Sequence, residues 1–138
     1  MKAIVSESVV IRPQFYDLDP MNIVWHGNYA RFLELARTAL MDKIGYGYDE
    51  MRASGYAWPV IDMHIRYYRP LRLRHPIAIT ASVTEWENRL KVEYLARDQE
   101  TGKKTTKGHT IQVAVDVGSE TMVWQTPLAF RDKIAPYL

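Results

Sequence analysis

NYARFLELARTALMDKIG, residues 28–45, is the stretch on which the reading of the fold turns. Its apolar positions, Tyr29, Phe32, Leu33, Ala36, Leu40 and Ile44, recur at the i, i+3, i+4, i+7 spacing that lines one side of an α-helix. Arg31, Glu34, Arg37 and Asp42 fall on the more polar side. Asn28 is placed to cap the first turn, and Gly45 to stop the last one in a left-handed conformation. The segment predicts one long helix.

On either side of it the period changes to two, the signature of strands with one face buried. Downstream, Ile61, Met63, Ile65 and Tyr67 alternate with Asp62, His64, Arg66 and Tyr68. Ile77, Ile79, Ala81 and Val83 do the same, as do Leu90, Val92, Tyr94 and Ala96. After a Thr-Gly turn signal, Ile111, Val113, Val115 and Val117 predict a last long strand. Upstream, Val9, Ile11 and Phe15 predict a strand over 9–15, which Pro13 assigns to a sheet edge or a bulge. Thr126-Pro127, followed by Leu128, Phe130 and Ile134, predicts a short closing helix. The order gives an α+β domain in which one long helix covers one face of an antiparallel sheet of about five strands. One helix cannot cover such a sheet on both sides, so pairing with a second copy is expected.

At 138 residues, with 47% hydrophobic and 25% charged residues, the chain is expected to fold as a single domain over 1–138. Cysteine is absent, which excludes disulfides, thiolate metal sites and a cysteine nucleophile. The opening MKAIVSESVV lacks the apolar run and cleavage site of a secretory signal, and charges interrupt every hydrophobic run. A cytoplasmic location and no membrane association are therefore expected. A net charge of +2 gives no reason to expect nucleic acid as a partner.

Polar chemistry gathers in DLDPMNIVWHGNY, residues 17–29, between the first strand and the long helix. Two carboxylates at i and i+2, a His seven residues beyond the second, and a helix start bring a base or nucleophile near backbone N–H donors. In Asp17, Asp19, Val24, His26, Asn28 and Tyr29 the stretch resembles the motif of the 4-hydroxybenzoyl-CoA thioesterase family of hotdog proteins, which includes the YbgC-like acyl-CoA thioesterases. The likeness continues through Arg31 to Arg37 and, more loosely, through Tyr67-Tyr68-Arg69-Pro70.

The resemblance implies a hotdog fold and hydrolysis of an aromatic or short-to-medium acyl-CoA, with Asp19 as nucleophile or general base and the backbone N–H of His26 polarising the thioester oxygen. Asp17 matches a structural neighbour. Trp25, Asn28 and Tyr29 are expected to contact substrate, with Trp25 standing where many relatives carry Tyr. Met21 and Asn22 replace the small residues usual in the turn, and Asn suits a positive φ. For the phosphates of CoA, Arg89 is the first candidate among scattered cations that include Lys91, Lys103, Lys104 and Lys107. Tyr67, Tyr68 and Trp58 read as sheet packing. His64, His75 and His109 show no metal-ligand spacing, so no metal is expected. No cofactor is expected either, coenzyme A being part of the substrate. The resemblance further implies a dimer and a tetramer built from two dimers. An acyl carrier protein thioester is the alternative substrate, and a non-catalytic acyl-CoA binding module the alternative function.

Overall fold

The structure, a computed structural model, describes residues 2–138. Five antiparallel strands form the main sheet: β1 (Val5–Ile11), β3 (Val60–Tyr67), β4 (Ile77–Glu85), β5 (Leu90–Asp98) and β6 (Lys104–Gln112). Their spatial order is β1-β4-β5-β6-β3, so the first and second long strands of the chain are the two edges. The helix α1 (Tyr29–Ile44) packs against β1 and β4, and every apolar position of its predicted stripe is buried. Gly45 ends it at φ 88°, its N–H returning to the Met41 and Asp42 carbonyls.

The core lies between α1 and the inward residues of β4 and β5, Ile77, Ile79, Ala81 and Val83 facing Leu90, Val92, Tyr94 and Ala96. A smaller layer closes the far end. It comprises α2 (Tyr48–Ser54), a three-stranded sheet of β2 (Tyr56–Ala57), β7 (Val115–Asp116) and β8 (Thr121–Met122), and α3 (Leu128–Ile134). Tyr46, Trp58 and Phe130 stack there at right-angled and tilted contacts. No helix among the described residues is long and apolar enough to cross a membrane.

Three expectations need correction. The first strand runs over Val5–Ile11, because Pro13 ends the pairing and Phe15 enters a 3-10 turn with Asp17. The last long strand ends at Gln112, and Val115 pairs instead with Ala57 in the small sheet. Asn28 stands at the head of α1 but accepts no helix N–H as a cap, its side-chain amide donating instead to the Asp17 carbonyl. The strand β3 reaches past α1 and is exposed nearly throughout, with Ile61 at 59% and Met63 at 39% exposure.

Candidate active site

The loop between β1 and α1 is tied to itself around a buried carboxylate. Asp17 is 1% exposed. Its Oδ2 accepts the Gln14 N–H at 2.8 Å, and its Oδ1 is held by the guanidinium of Arg31 in the first turn of α1. The Asp17 carbonyl accepts both the Trp25 N–H at 3.0 Å and the Asn28 side-chain amide at 2.9 Å. Leu18 and Val24 form a bridge across the base, so residues 18–24 project as a closed turn.

Asp19 sits on that turn. Its Oδ1 accepts the Met21 N–H at 2.8 Å and, more loosely, the Ile23 N–H at 3.4 Å. Its N–H bonds the Ile23 carbonyl, and Asn22 adopts φ 63° to let the chain reverse. Among the described residues no hydrogen bond falls on Oδ2. The side chain lines a cavity of about 300 Å³ together with Met21, Ile23, His26, Tyr29, Tyr67 and Tyr68. Asp19 is thus held in its turn through one oxygen and lines the cavity with the other free of hydrogen bonds among the described residues.

His26 opens a 3-10 turn (His26–Asn28) that runs into α1. Its carbonyl accepts the Tyr29 N–H and, at 3.1 Å, the hydroxyl of Tyr67 from β3. Among the described residues neither the His26 nor the Gly27 N–H is used, and both stand at the positive end of a sixteen-residue helix. The imidazole is exposed and tilted against the Trp25 indole, centroids 5.3 Å apart. The indole lies over Gly27, where a Cβ would collide with it. Tyr29 is buried and meets Tyr67 edge-on at 4.6 Å. Burial pushes its phenol above the ordinary value, a hydrogen bond with the Leu71 backbone draws it partly back, and Tyr67 and Asp19 add a further upward push.

Of the residues singled out in the sequence, Asp19, His26 and Tyr29 line one cavity. Trp25 and Asn28 flank it without forming its wall, one shielding Gly27 and the other securing Asp17. Arg89 is elsewhere. It lies on the β4–β5 hairpin, bonded to Glu85 at 2.6 Å, and its neighbour Leu90 is in register with Gln112, which pairs with Val60 at the opposite end of β3 from Tyr67. Within one chain it does not reach Asp19. Tyr67 and Tyr68, read as sheet packing, are wall residues as well, and Arg69 and Pro70 complete the wall. The run Tyr67-Tyr-Arg-Pro70 was the available signal for them. For Arg31 only the family likeness over Arg31 to Arg37 marked it, since on its helix it reads as a surface charge.

His64 and His109 stack on the outer sheet face, while His75 bonds Asp98 at 2.6 Å. No group of three or more His, Asp or Glu among the described residues is arranged to hold a metal ion. A second cavity of about 350 Å³ lies between α1, α2 and Trp58 and shares no residue with that of Asp19.

Residues 13–136 match the model of the Thioesterase-like superfamily, and the chain belongs to that family. A Synechocystis protein bearing an esterase name is 28% identical over 127 residues, 91% of this chain and 76% of that protein. The acyl-CoA thioester hydrolase YbgC of Escherichia coli is 30% identical over 74 residues, 54% of this chain and 55% of its own length, so the match spans only about half of that relative. Among solved structures, a 1,4-dihydroxy-2-naphthoyl-CoA thioesterase from Synechocystis superposes with a TM-score of 0.84 at 13% identity, covering 95% of this chain and 96% of its own. The architecture is the hotdog fold of such enzymes.

Proposed function

We propose that this protein is a single-domain acyl-CoA thioesterase over 1–138, splitting the thioester of an aromatic or short-to-medium acyl group into the free acid and CoA. The observation that carries this reading is the Asp19 carboxylate, one oxygen held by its turn and the other without a hydrogen bond among the described residues, lining one cavity with His26, whose N–H is unused. The thioester carbonyl enters with its oxygen at that N–H. Asp19 either takes a proton from a water that attacks the carbonyl carbon and passes it to the departing thiolate as the carbon–sulfur bond breaks, or attacks the carbon itself. In the second case it expels the thiolate and forms a mixed anhydride that a water then hydrolyses to the free acid, restoring the carboxylate and supplying the proton that the thiolate takes up. Charge that develops on the oxygen is met by a fixed donor and the helix dipole, an arrangement worth about 3 kcal/mol of barrier in acyl transfer.

A cavity of about 300 Å³ walled by Tyr29, Tyr67 and Tyr68 is the size and character for an aryl or short acyl group. The Trp25 indole extends that apolar surface at the entrance. No cofactor or metal enters the scheme. The exposed edge of β3, with Ile61 and Met63 uncovered, supports pairing with a second copy into a dimer, and two dimers into the tetramer that the family resemblance implies. A cytoplasmic setting fits a substrate esterified to CoA.

The test is thiol release from a panel of aryl, short, medium and long acyl-CoAs by wild type and Asp19→Asn. We expect hydrolysis of at least one class, reduced about a hundredfold or more in the variant. Full activity in Asp19→Asn would remove Asp19 from the mechanism. Failure of the wild type on every CoA ester, with turnover of acyl carrier protein thioesters, would favour the second substrate class.

A further inference from the structure

The cavity between α1, α2 and Trp58, of about 350 Å³, is large enough for a small ligand and takes no part in the proposed reaction. Met41, Met51, Trp58 and Val117 give it an apolar wall, and Arg37 and Arg52 bring positive charge to it. We propose that it is a second ligand site, which takes a free carboxylic acid with an apolar body and from which the acid acts on the Asp19 site through α1. The regulatory half rests on the thioesterase reading, whose product is such an acid, while the binding half stands without it.

The wall is preformed. A directed chain of hydrogen bonds runs along it, from the Trp58 indole N–H to the Tyr46 hydroxyl at 3.0 Å, from that hydroxyl to Ser54 Oγ at 2.7 Å, and from Ser54 to the Met51 carbonyl at 2.6 Å. The Trp58 carbonyl in turn accepts the Gln112 side-chain amide at 2.7 Å, which joins the wall to β6. Side-chain bonds thus fix α2 and Trp58 to the main sheet, and little has to be ordered when a ligand enters. Methionine and indole surfaces accept flat and flexible apolar groups alike.

Charge selects the headgroup. Among the described residues Arg52 is exposed and pairs with no carboxylate. Arg37, its side chain 15% exposed, stands 3.5 Å from Glu34, and the Tyr48 hydroxyl reaches the same Glu34 oxygen at 3.4 Å. Both contacts are long, so a ligand carboxylate displaces only a weak partner. Asp42, the acid in the wall, has its carboxylate against Gly47. The route to Asp19 is stiff, because Arg37, Thr38 and Met41 belong to the helix whose first turn holds Asp17 through Arg31 and whose start carries His26. A ligand seated between α1 and α2 biases that helix, and the His26 N–H with it.

The experiment follows the indole N–H signals of Trp58 and Trp25 by NMR while octanoate, 4-butylbenzoate, 1-octanol and octylamine are titrated into wild type, Arg52→Gln and Val117→Trp. Trp58 lies in this wall and Trp25 beside the Asp19 cavity, so the two signals report the two sites separately. Arg52 and Val117 are exposed, so both variants are expected to fold, which melting curves verify. The acids should move Trp58 and leave Trp25 in place. Arg52→Gln should weaken both acids about tenfold and leave the alcohol unchanged, whereas Val117→Trp, which narrows the cavity, should weaken acid and alcohol alike. At saturating acyl-CoA the acid should lower kcat of wild type about twofold or more and leave that of Val117→Trp, equal to wild type without acid, unchanged. Acid shifts confined to Trp25, tighter binding of the amine than of the acids, affinity unchanged in both variants, or no binding by wild type overturns the site. Inhibition that saturating acyl-CoA abolishes, or a filled site with kcat unchanged, overturns the regulatory half. Acid binding at Trp58 in a protein that hydrolyses nothing defeats the thioesterase reading and leaves the site standing, and hydrolysis without acid binding does the reverse.

Discussion

Replacing Arg31 with Met should loosen the active-site loop from a point that touches no substrate. Asp17 is nearly sealed from water, its side chain 2% exposed, whereas that of Arg31 is 51% exposed. Taking one partner from a fully buried ion pair costs about 3–5 kcal/mol, because the other charge is left uncompensated. Here water reaches the arginine side and will partly refill the gap, so about half of that, roughly 2 kcal/mol, is the appropriate size. Methionine keeps the stem that packs toward the Phe32 ring, over which the guanidinium lies at 5.3 Å, so the loss reports the charge. For a domain of this length, about 2 kcal/mol lowers Tm by roughly 6 °C. The Asp17 carbonyl also anchors Trp25 and Asn28, so the His26 turn should shift with the carboxylate, and kcat should fall about tenfold or more. The assay is thermal and urea unfolding plus steady-state kinetics on Arg31→Met, Asp17→Asn and the double variant. A cycle whose coupling is within about 0.5 kcal/mol of zero, or an Arg31→Met protein that melts and turns over as wild type, would refute the argument.

Tyr67→Phe removes the hydroxyl that donates to the His26 carbonyl, and should cost about 1 kcal/mol of stability and several-fold in kcat with KM held, as read by initial rates. At Asn22, where φ is 63°, Gly should be neutral or stabilising and Val should cost about 1–2 kcal/mol, measured by urea midpoints. Burial raises the phenols of both Tyr29 and Tyr94 above the ordinary value, so an absorbance titration should show them ionising after the exposed tyrosines. The sign follows from linkage. Stability from these neutral phenols is complete below the unfolded pKa of about 10 and is lost as pH rises through their higher folded values, so unfolding should accompany their ionisation.

The helix was legible because six apolar positions kept one phase over residues 29–44 and Gly45 closed it, and each of the six is buried. The strands β4 and β5 were equally plain, since both alternate cleanly and both face the core. The sixth strand was misplaced for a physical reason. Its inward residues are Thr106, Gly108 and Thr110, beneath Ala96, Tyr94 and Val92, and the Thr110 and Tyr94 hydroxyls share a hydrogen bond at 2.8 Å. A polar and small inner face leaves no hydrophobic alternation, so the visible pattern at Ile111–Val117 drew the strand too late. The helix α2 and the two-residue strands of the small sheet are too short for any period to register. At the site, the Asp19 turn and the His26 helix start were readable as a motif. The wall residues Tyr67, Tyr68 and Arg69 carried only the loose likeness of their run, and their place in the wall was not readable because it depends on β3 lying next to the helix start across a long sequence gap.

Asp17 and Asp19 show why the motif needs two carboxylates and cannot dispense with either. Asp17 ends the 3-10 turn and Asp19 begins the next turn of the loop, so the two carboxylates meet different surroundings. One turns inward, loses its water and is neutralised by Arg31 and the Gln14 N–H, which makes it a fastening. The other lines the cavity and gives only one oxygen to the turn, which on the proposed mechanism leaves the second for chemistry. A single carboxylate could not do both, since the bonds that fix a loop are the bonds that would consume a nucleophile or base. The division also explains the spacing to the helix. Arg31, in the first turn of α1, reaches Asp17, whose carbonyl holds Trp25 and Asn28 on either side of His26 and Gly27. On the proposed mechanism fastening and oxyanion donor share one loop, and a change at Arg31 is expected to act on activity through the Asp17 anchor and not through contact with substrate.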